Sequence, residues 1–221
     1  VGTMTPAVED YLKTIFLLST RGETVTTGAL AKELQVSSPS VSAMVKRLAD
    51  GELVRRGRTL TLTAAGEREA LRVVRRHRLL ETFLVRALEM PWDEVHEEAE
   101  QLEHALSDRL EARIDAALGH PTHDPHGDPI PGAAGRHDES WGQPLAVAPE
   151  GCRFAIERVS DRRSDALRYL GERGLRPGVV VEVEEQDPYG GPRWVRVSGE
   201  RVALAPLLTA LIHGRVVRQG A

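Results

Sequence analysis

Residues 37–50 read Ser37-Ser38-Pro39-Ser40-Val41-Ser42-Ala43-Met44-Val45-Lys46-Arg47-Leu48-Ala49-Asp50, and an alternating run from Leu53 to Thr63 follows Gly51. Val41, Val45 and Leu48 recur at helical spacing and define an inner face. The pattern predicts a helix from Ser40 to Asp50, with Ser38 as its cap and Pro39 at its first position. In Leu53-Val54-Arg55-Arg56-Gly57-Arg58-Thr59-Leu60-Thr61-Leu62-Thr63, apolar and polar residues alternate on either side of Gly57. That is the pattern of a short β-hairpin with a basic tip.

Upstream, Thr5-Pro6 opens a first helix with Val8, Leu12, Ile15 and Phe16 inward, while Asp10 and Lys13 point elsewhere. Thr26-Thr27 caps a short second helix, Gly28 to Leu34, and Gln35-Val36 forms a tight connection. Helix, short helix, turn, helix and hairpin, in that order, is the layout of a winged helix-turn-helix. Thr27, Ser37, Ser40, Ser42, Lys46 and Arg47 are candidates for phosphate contacts, and Arg56 and Arg58 of the wing for an adjacent phosphate or minor groove. Pro39 is placed for apolar contact with thymine methyl groups.

Downstream, the spacing predicts one long helix from Ala64 or Ala65 to Leu88, interrupted by Pro91-Trp92-Asp93. A helix from Val95 to Leu106 follows. Val95, Ala99, Leu102 and Leu106 share its apolar face, and His96, Glu100, Glu103 and His104 fall together on another. Two carboxylates and two imidazoles on one stripe suit a divalent transition metal, although a solvated acidic face has the same pattern. Ser107 caps a further helix to Leu118. A Pro-, Gly- and His-rich loop then runs into a linker, and its His120, His123 and His126 read as structural. From Arg153 onward short β-rich runs and one helix, Asp165 to Gly174, fit a small SH3-like β-barrel. The resulting division is 1–75, 76–140, a linker 141–150, and 151–221: mainly α with β.

The net charge of −4 conceals an asymmetry. Residues 1–75 carry 11 basic and 8 acidic side chains, 76–140 carry 6 and 15, and 141–221 carry 12 and 10. A basic start suits a polyanion and an acidic middle suits cations. No apolar run approaches the roughly 18 residues of a membrane span. No signal peptide is visible, and a lone Cys152 excludes an intrachain disulfide and fits a reducing cytoplasm. Enzymatic motifs are absent: His96-Glu97-Glu98-Ala99-Glu100 begins like a zinc metalloprotease motif, but Glu100 stands where the second His belongs.

The layout resembles the DtxR family of metal-dependent repressors over nearly the whole chain. The carriers are Glu9-Asp10-Tyr11-Leu12, Ser37 to Ser42, Leu62-Thr63-Ala64-Ala65-Gly66, His77-Arg78-Leu79-Leu80-Glu81, Glu103-His104-Ala105-Leu106-Ser107 and His126-Gly127-Asp128-Pro129-Ile130-Pro131. Leu167 to Gly178 looks like the FeoA or SH3-like domain of longer members. The resemblance implies a cytoplasmic homodimer that binds double-stranded operator DNA and controls metal-transport genes. It places a primary metal site at Asp10, Glu100, Glu103 and His104. Iron-responsive members have Met and Cys where this chain has Asp10 and Glu100, so the resemblance implies a manganese-responsive member. Mn²⁺ favours such hard oxygen donors, while other divalent metals can occupy the same ligands.

An ancillary site maps onto His77, Glu81 and His96. Of two further ligand positions in longer members, one falls on Arg158 beside Glu157, and the other on Asp161. Short manganese regulators also use a Glu three residues after the helix-1 Asp. Here it is Lys13, which implies separated primary and ancillary ions. The alternatives are an iron-responsive repressor, a metallohydrolase, and a metal-independent dimeric DNA-binding module.

Overall fold

The computed structural model describes residues 4–132 and 140–217. It divides into two compact units. The first takes the described residues of Val1–Leu80, Ala99–Thr122 and Ile130–Glu139, and the second those of Glu81–Glu98, His123–Pro129 and Ser140–Ala221.

In the first unit, α1 (Pro6–Thr20), α2 (Thr27–Glu33) and α3 (Ser38–Asp50) precede a hairpin of β1 (Val54–Arg56) and β2 (Leu60–Leu62). Val54 pairs with Leu62 and Arg56 with Leu60, so Gly57 lies at the tip as expected. Leu12, Ile15, Leu30, Val41, Val45 and Leu48 close over one core with Val54 and Leu60. Each fully buried side chain of this kind stabilises by about 1.5–3 kcal/mol. The cap of α3 is Ser37, not Ser38: the Ser37 hydroxyl accepts the Ser40 amide, and Pro39 sits inside the first turn. Gly66 lets the first turn of α4 (Ala64–Leu88) press on the hairpin, since a Cβ there would lie 2.0 Å from the Leu53 carbonyl oxygen.

α5 ends earlier than its apolar periodicity suggests, spanning Val95–Leu102. Glu103 and His104 lie in the turn that follows, before α6 (Asp108–Ala117), whose cap is Ser107. Within the first unit Arg75 and Arg76 of α4 hold Glu111 of α6 at 2.9 and 3.1 Å.

The second unit contains an antiparallel sheet in the order β3-β8-β4-β5-β6-β7. Its strands are β3 (Gln143–Pro144), β4 (Arg153–Val159), β5 (Val180–Gln186), β6 (Arg193–Val197), β7 (Glu200–Leu204) and β8 (Ile212–Val217). α7 (Ser164–Glu172) and α8 (Pro206–Leu211) complete it, and α8 touches both edge strands, β3 and β7. Phe154, Ile156, Val181, Val183, Val195 and Leu204 fill the interior with Trp92 and Leu170. The segment 141–150, expected as a linker, belongs to this sheet: Gln143 pairs with Gly214, and Leu145 in a 3₁₀ turn is buried. Among the described residues no helix is long and apolar enough to cross a membrane.

Candidate metal centre

Helix periodicity puts Lys13 four residues after Glu9 and three after Asp10 on α1, so that its side chain neighbours both acids. The first unit folds that face onto the turn after α5. His104 Nε2 lies 2.9 Å from Asp10 Oδ1 and 3.6 Å from Glu103 Oε1. Asp10, Glu103 and His104 each offer a ligand atom within 4.8 Å of the others. Three of the four residues expected at a primary site are thus together.

Glu100, the fourth, is outside that group, and its Oε1 is 3.2 Å from the Lys13 ammonium. The sequence pointed Lys13 away from the apolar face of the first helix. It is buried, and its Nζ also lies 2.7 Å from Glu103 Oε1. Glu103 is clasped on its other oxygen by His77 Nδ1 at 2.6 Å.

The electrostatics follow from these contacts. Burial pushes the Asp10 carboxyl above its ordinary range, against the pull of His104 and Lys13. Burial would also raise Glu103, but the His77 hydrogen bond and the charges of His77 and Lys13 outweigh it and hold that carboxyl low. Lys13 is likewise desolvated, yet Glu103 and Glu100 keep its ammonium above the usual lysine range.

Glu9 was not singled out by the sequence. It is buried, pairs with Arg72 at 2.6 Å and meets His104 Nδ1 at 2.7 Å. A carboxylate accepts hydrogen bonds, so the Nδ1–H tautomer donates to Glu9 and leaves Nε2 directed at Asp10. Such an outer partner fixes the tautomer and ring orientation of a ligating histidine.

A second cluster lies in the second unit. His96 Nδ1 is 3.2 Å from Glu81 Oε1 and 3.3 Å from Asp161 Oδ2. Glu81, in α4, is fully buried, and His77 precedes it by one helical turn. The apparent single stripe does not act as one: His96 falls in the second cluster, Glu103 and His104 in the first from the turn after Leu102, and Glu100 in neither.

The loop preceding residue 130 supplies two residues that sequence reasoning missed. Glu81, Asp124 and His126, all buried, place ligand atoms within 4.8 Å of one another. His126 Nε2 donates to the Trp92 carbonyl at 2.7 Å. Its Nδ1 is buried with no hydrogen-bonding partner among the described residues, Glu81 Oε2 standing 3.7 Å away. Burial opposes charge on this imidazole, but Glu81 and the acids Asp124 and Asp161 raise its pKa to about 10. A dense local repeat of His and Asp was the available signal, but only folding against Glu81 separates His126 from the exposed His120, which pairs with Asp115.

Arg158 is no ligand. Its guanidinium pairs with Asp128 and stacks on Trp141 at 3.5 Å. Glu157 is turned outward to Arg215. Asp161 thus remains as the ligand candidate from the β-rich region.

Elsewhere in the first unit, Thr27, Ser37, Pro39, Ser40, Ser42, Lys46 and Arg47 are all exposed along α2 and α3, and Arg56 and Arg58 are exposed on the wing. Their placement leaves the α3 face open to a polyanion.

The sequence matches an iron dependent repressor N-terminal DNA binding domain over residues 3–58. It also matches an iron dependent repressor metal binding and dimerisation domain over 63–132 and a FeoA domain over 143–215. The iron-dependent repressor IdeR of Mycobacterium leprae (strain TN) is 40% identical over 194 residues, covering 80% of this chain and 83% of that protein. A solved manganese-dependent transcriptional repressor in complex with manganese superposes with a TM-score of 0.88 at 41% identity, over 95% of this chain and 100% of that one. The manganese regulator SloR gives 0.79 at 34% identity, over 97% and 100%.

Proposed function

The chain belongs to the DtxR family of metal-dependent transcriptional repressors, which are DNA-binding regulators and not enzymes, and from that premise we propose that manganese is its activating ion. The observation that carries this reading is the convergence of Asp10 from the DNA-reading part with Glu103 and His104 from the turn after α5. The donor set fits a hard divalent ion: carboxylate oxygens and imidazole nitrogen, with no thiolate or thioether. At the second cluster Glu81, Asp124 and His126 place ligand atoms within 4.8 Å of one another, and His126 would join an ion only by giving up the proton that the surrounding carboxylates favour.

In this reading Asp10, Glu103 and His104 hold the primary ion, joined by Glu100. Glu81, His96 and Asp161, with Asp124 and His126, are candidates for an ancillary one within the second unit. A bound divalent cation supplies positive charge that offsets the carboxylates and directed bonds that tie their carriers together.

The chain's own residues do the rest. Glu9 and Arg72 orient His104. Asp10, on α1, transmits that anchorage to the α3 recognition helix through the shared core. Leu102 and Leu110, exposed apolar side chains on α5 and α6, suit pairing with a second copy of the chain. In a homodimer, two recognition helices must stand about 34 Å apart to enter successive major grooves. An ion that favours that arrangement raises operator affinity, and DNA raises ion affinity by the same factor. Ser37, Ser40, Lys46 and Arg47 then approach the duplex backbone, with Arg56 and Arg58 beside them. The regulated genes, on this reading, serve metal transport.

An iron-responsive repressor is the second reading, favoured by the name of the Mycobacterium leprae relative. The Asp10 and Glu100 carboxylates favour manganese over it. Operator binding titrated with Mn²⁺, Zn²⁺ and, anaerobically, Fe²⁺ decides between them, using wild type and Asp10→Met. Manganese activates the wild type, and the substitution moves the response away from manganese. Undiminished operator binding after chelation would overturn metal control altogether.

A further inference from the structure

We propose that Arg158 is a positioning residue for the second cluster: acting through Asp128, it fixes the loop that carries Asp124 and His126 against β4. This rests on the metal-binding reading of that cluster.

The loop is shaped first by its own hydrogen bonds. Asp124 Oδ1 accepts the amides of His126 and Asp128 at 2.8 and 2.9 Å, and the Asp124 amide donates to the Asp128 carbonyl. A closed turn fixes its own shape, not its place in the fold. β4 supplies the place. The Val159 amide donates to the His126 carbonyl at 2.8 Å, Gly127 lies against the Glu157 carbonyl, and between these contacts Arg158 pairs with Asp128. Asp161 follows Val159 by two residues, so the contacts that seat the loop also set the spacing between His126 and that acid.

Of the three contacts, the Arg158 pair is the one made by charged side chains. Both partners are buried, Arg158 at 4% and Asp128 at 7% exposed. The guanidinium stacks 3.5 Å from the centre of the Trp141 ring. His213, opposite Arg158 in the β4–β8 register, meets Trp141 edge-on. A stacked guanidinium has a fixed plane and directs its N–H groups along fixed lines. Removing either member of the pair leaves the other as an uncompensated buried charge, which is strongly disfavoured and drives the loop away from β4.

Positioning differs in sign from a charge acting through space. The Arg158 charge repels a cation and the Asp128 charge attracts one, so removing each would shift ion affinity in opposite directions. Loss of a shared anchor weakens binding in both cases.

The test uses the full chain carrying Asp10→Ala, so that the second cluster is the manganese site under study. Mn²⁺ is titrated calorimetrically into this chain and into the same chain with Arg158→Gln, Asp128→Asn or both. Each single substitution should weaken binding by about tenfold or more. The two together should cost no more than the worse single one, because both remove one contact. In the metal-free chain each should speed hydrogen exchange at the Val159 amide and leave the amides of α3 unchanged. Stronger binding with Arg158→Gln, or undiminished affinity in either folded variant, would overturn the role of Arg158. If Arg158→Gln fails to fold, unchanged affinity or unchanged Val159 exchange with Asp128→Asn overturns it still. A Glu81→Gln control separates the two claims. If it leaves manganese affinity unaltered, the metal reading of this cluster is overturned, while Val159 exchange continues to test the anchor.

Discussion

His104 Nε2 lies 2.9 Å from Asp10 Oδ1, and this contact joins α1 to the turn after α5. The ring is held from behind by Glu9, whose carboxylate lies 2.7 Å from Nδ1 and is itself anchored by Arg72. Losing such a support typically costs about 10–100-fold in metal affinity. Glu9→Gln should therefore weaken manganese binding by roughly tenfold or more, with a parallel loss of manganese-activated operator binding and an unchanged helical content. Calorimetric titration reads the first effect and circular dichroism the last. Unaltered manganese affinity would remove Glu9 from the positioning role.

Gly127 makes possible the approach of its loop to β4. At φ 88° its missing Cβ would fall 2.0 Å from the Glu157 carbonyl oxygen. Gly127→Ala must push the loop away, carrying Asp124 and His126 with it. The expected cost is on the order of 1–3 kcal/mol or more, read as a lowered melting temperature. The ion held through Glu81 should be lost, while the ion held through Asp10 stays. Retention of both ions would separate the loop from metal binding.

Lys46 is exposed on α3. If it neutralises a phosphate, Lys46→Ala should weaken binding about equally across DNA sequences and reduce the slope of log affinity against log salt by about 1. Manganese affinity without DNA should not move. An unchanged salt slope would place Lys46 off the duplex.

His213 gives the second unit a pH dependence. Burial first, and then the nearby Arg158 charge, hold its imidazole below the ordinary histidine range, and its ring meets the edge of Trp141. Below the unfolded pKa of about 6.5 the unfolded chain binds this proton more readily than the folded one. The stabilisation is thus fully present above about 6.5 and declines as pH falls through the folded value. Denaturant titrations from about pH 8 to about pH 5 should show His213→Gln losing less stability on acidification than wild type. Parallel curves would exclude His213 as the source.

Much of the fold was legible because the winged unit is built from elements with strong local signals. Val41, Val45 and Leu48 repeat at helical spacing, and Arg55, Gly57 and Thr61 mark a hairpin with alternating neighbours. Short elements left weaker traces. β3 is two residues, Gln143 and Pro144, and has no period to read, since it exists through pairing with β8. Ser37 and Ser38 are equally good caps in isolation, and the backbone of the preceding turn chooses Ser37.

The chain order of its side chains was enough to determine a DNA-reading helix, an acidic metal-holding middle, a β-rich end and the candidates Asp10, Glu103 and His104. Tertiary structure alone decided which acids meet which imidazoles. It sends His96 to Glu81 and Asp161, draws His126 toward Glu81, puts Glu9 behind His104 and buries the Lys13 ammonium between Glu100 and Glu103. The physical reason is range: helical and strand periods are set by neighbours a few residues away, whereas Lys13 and Glu103 are separated by 90 positions and are brought together only by burial of the core between them.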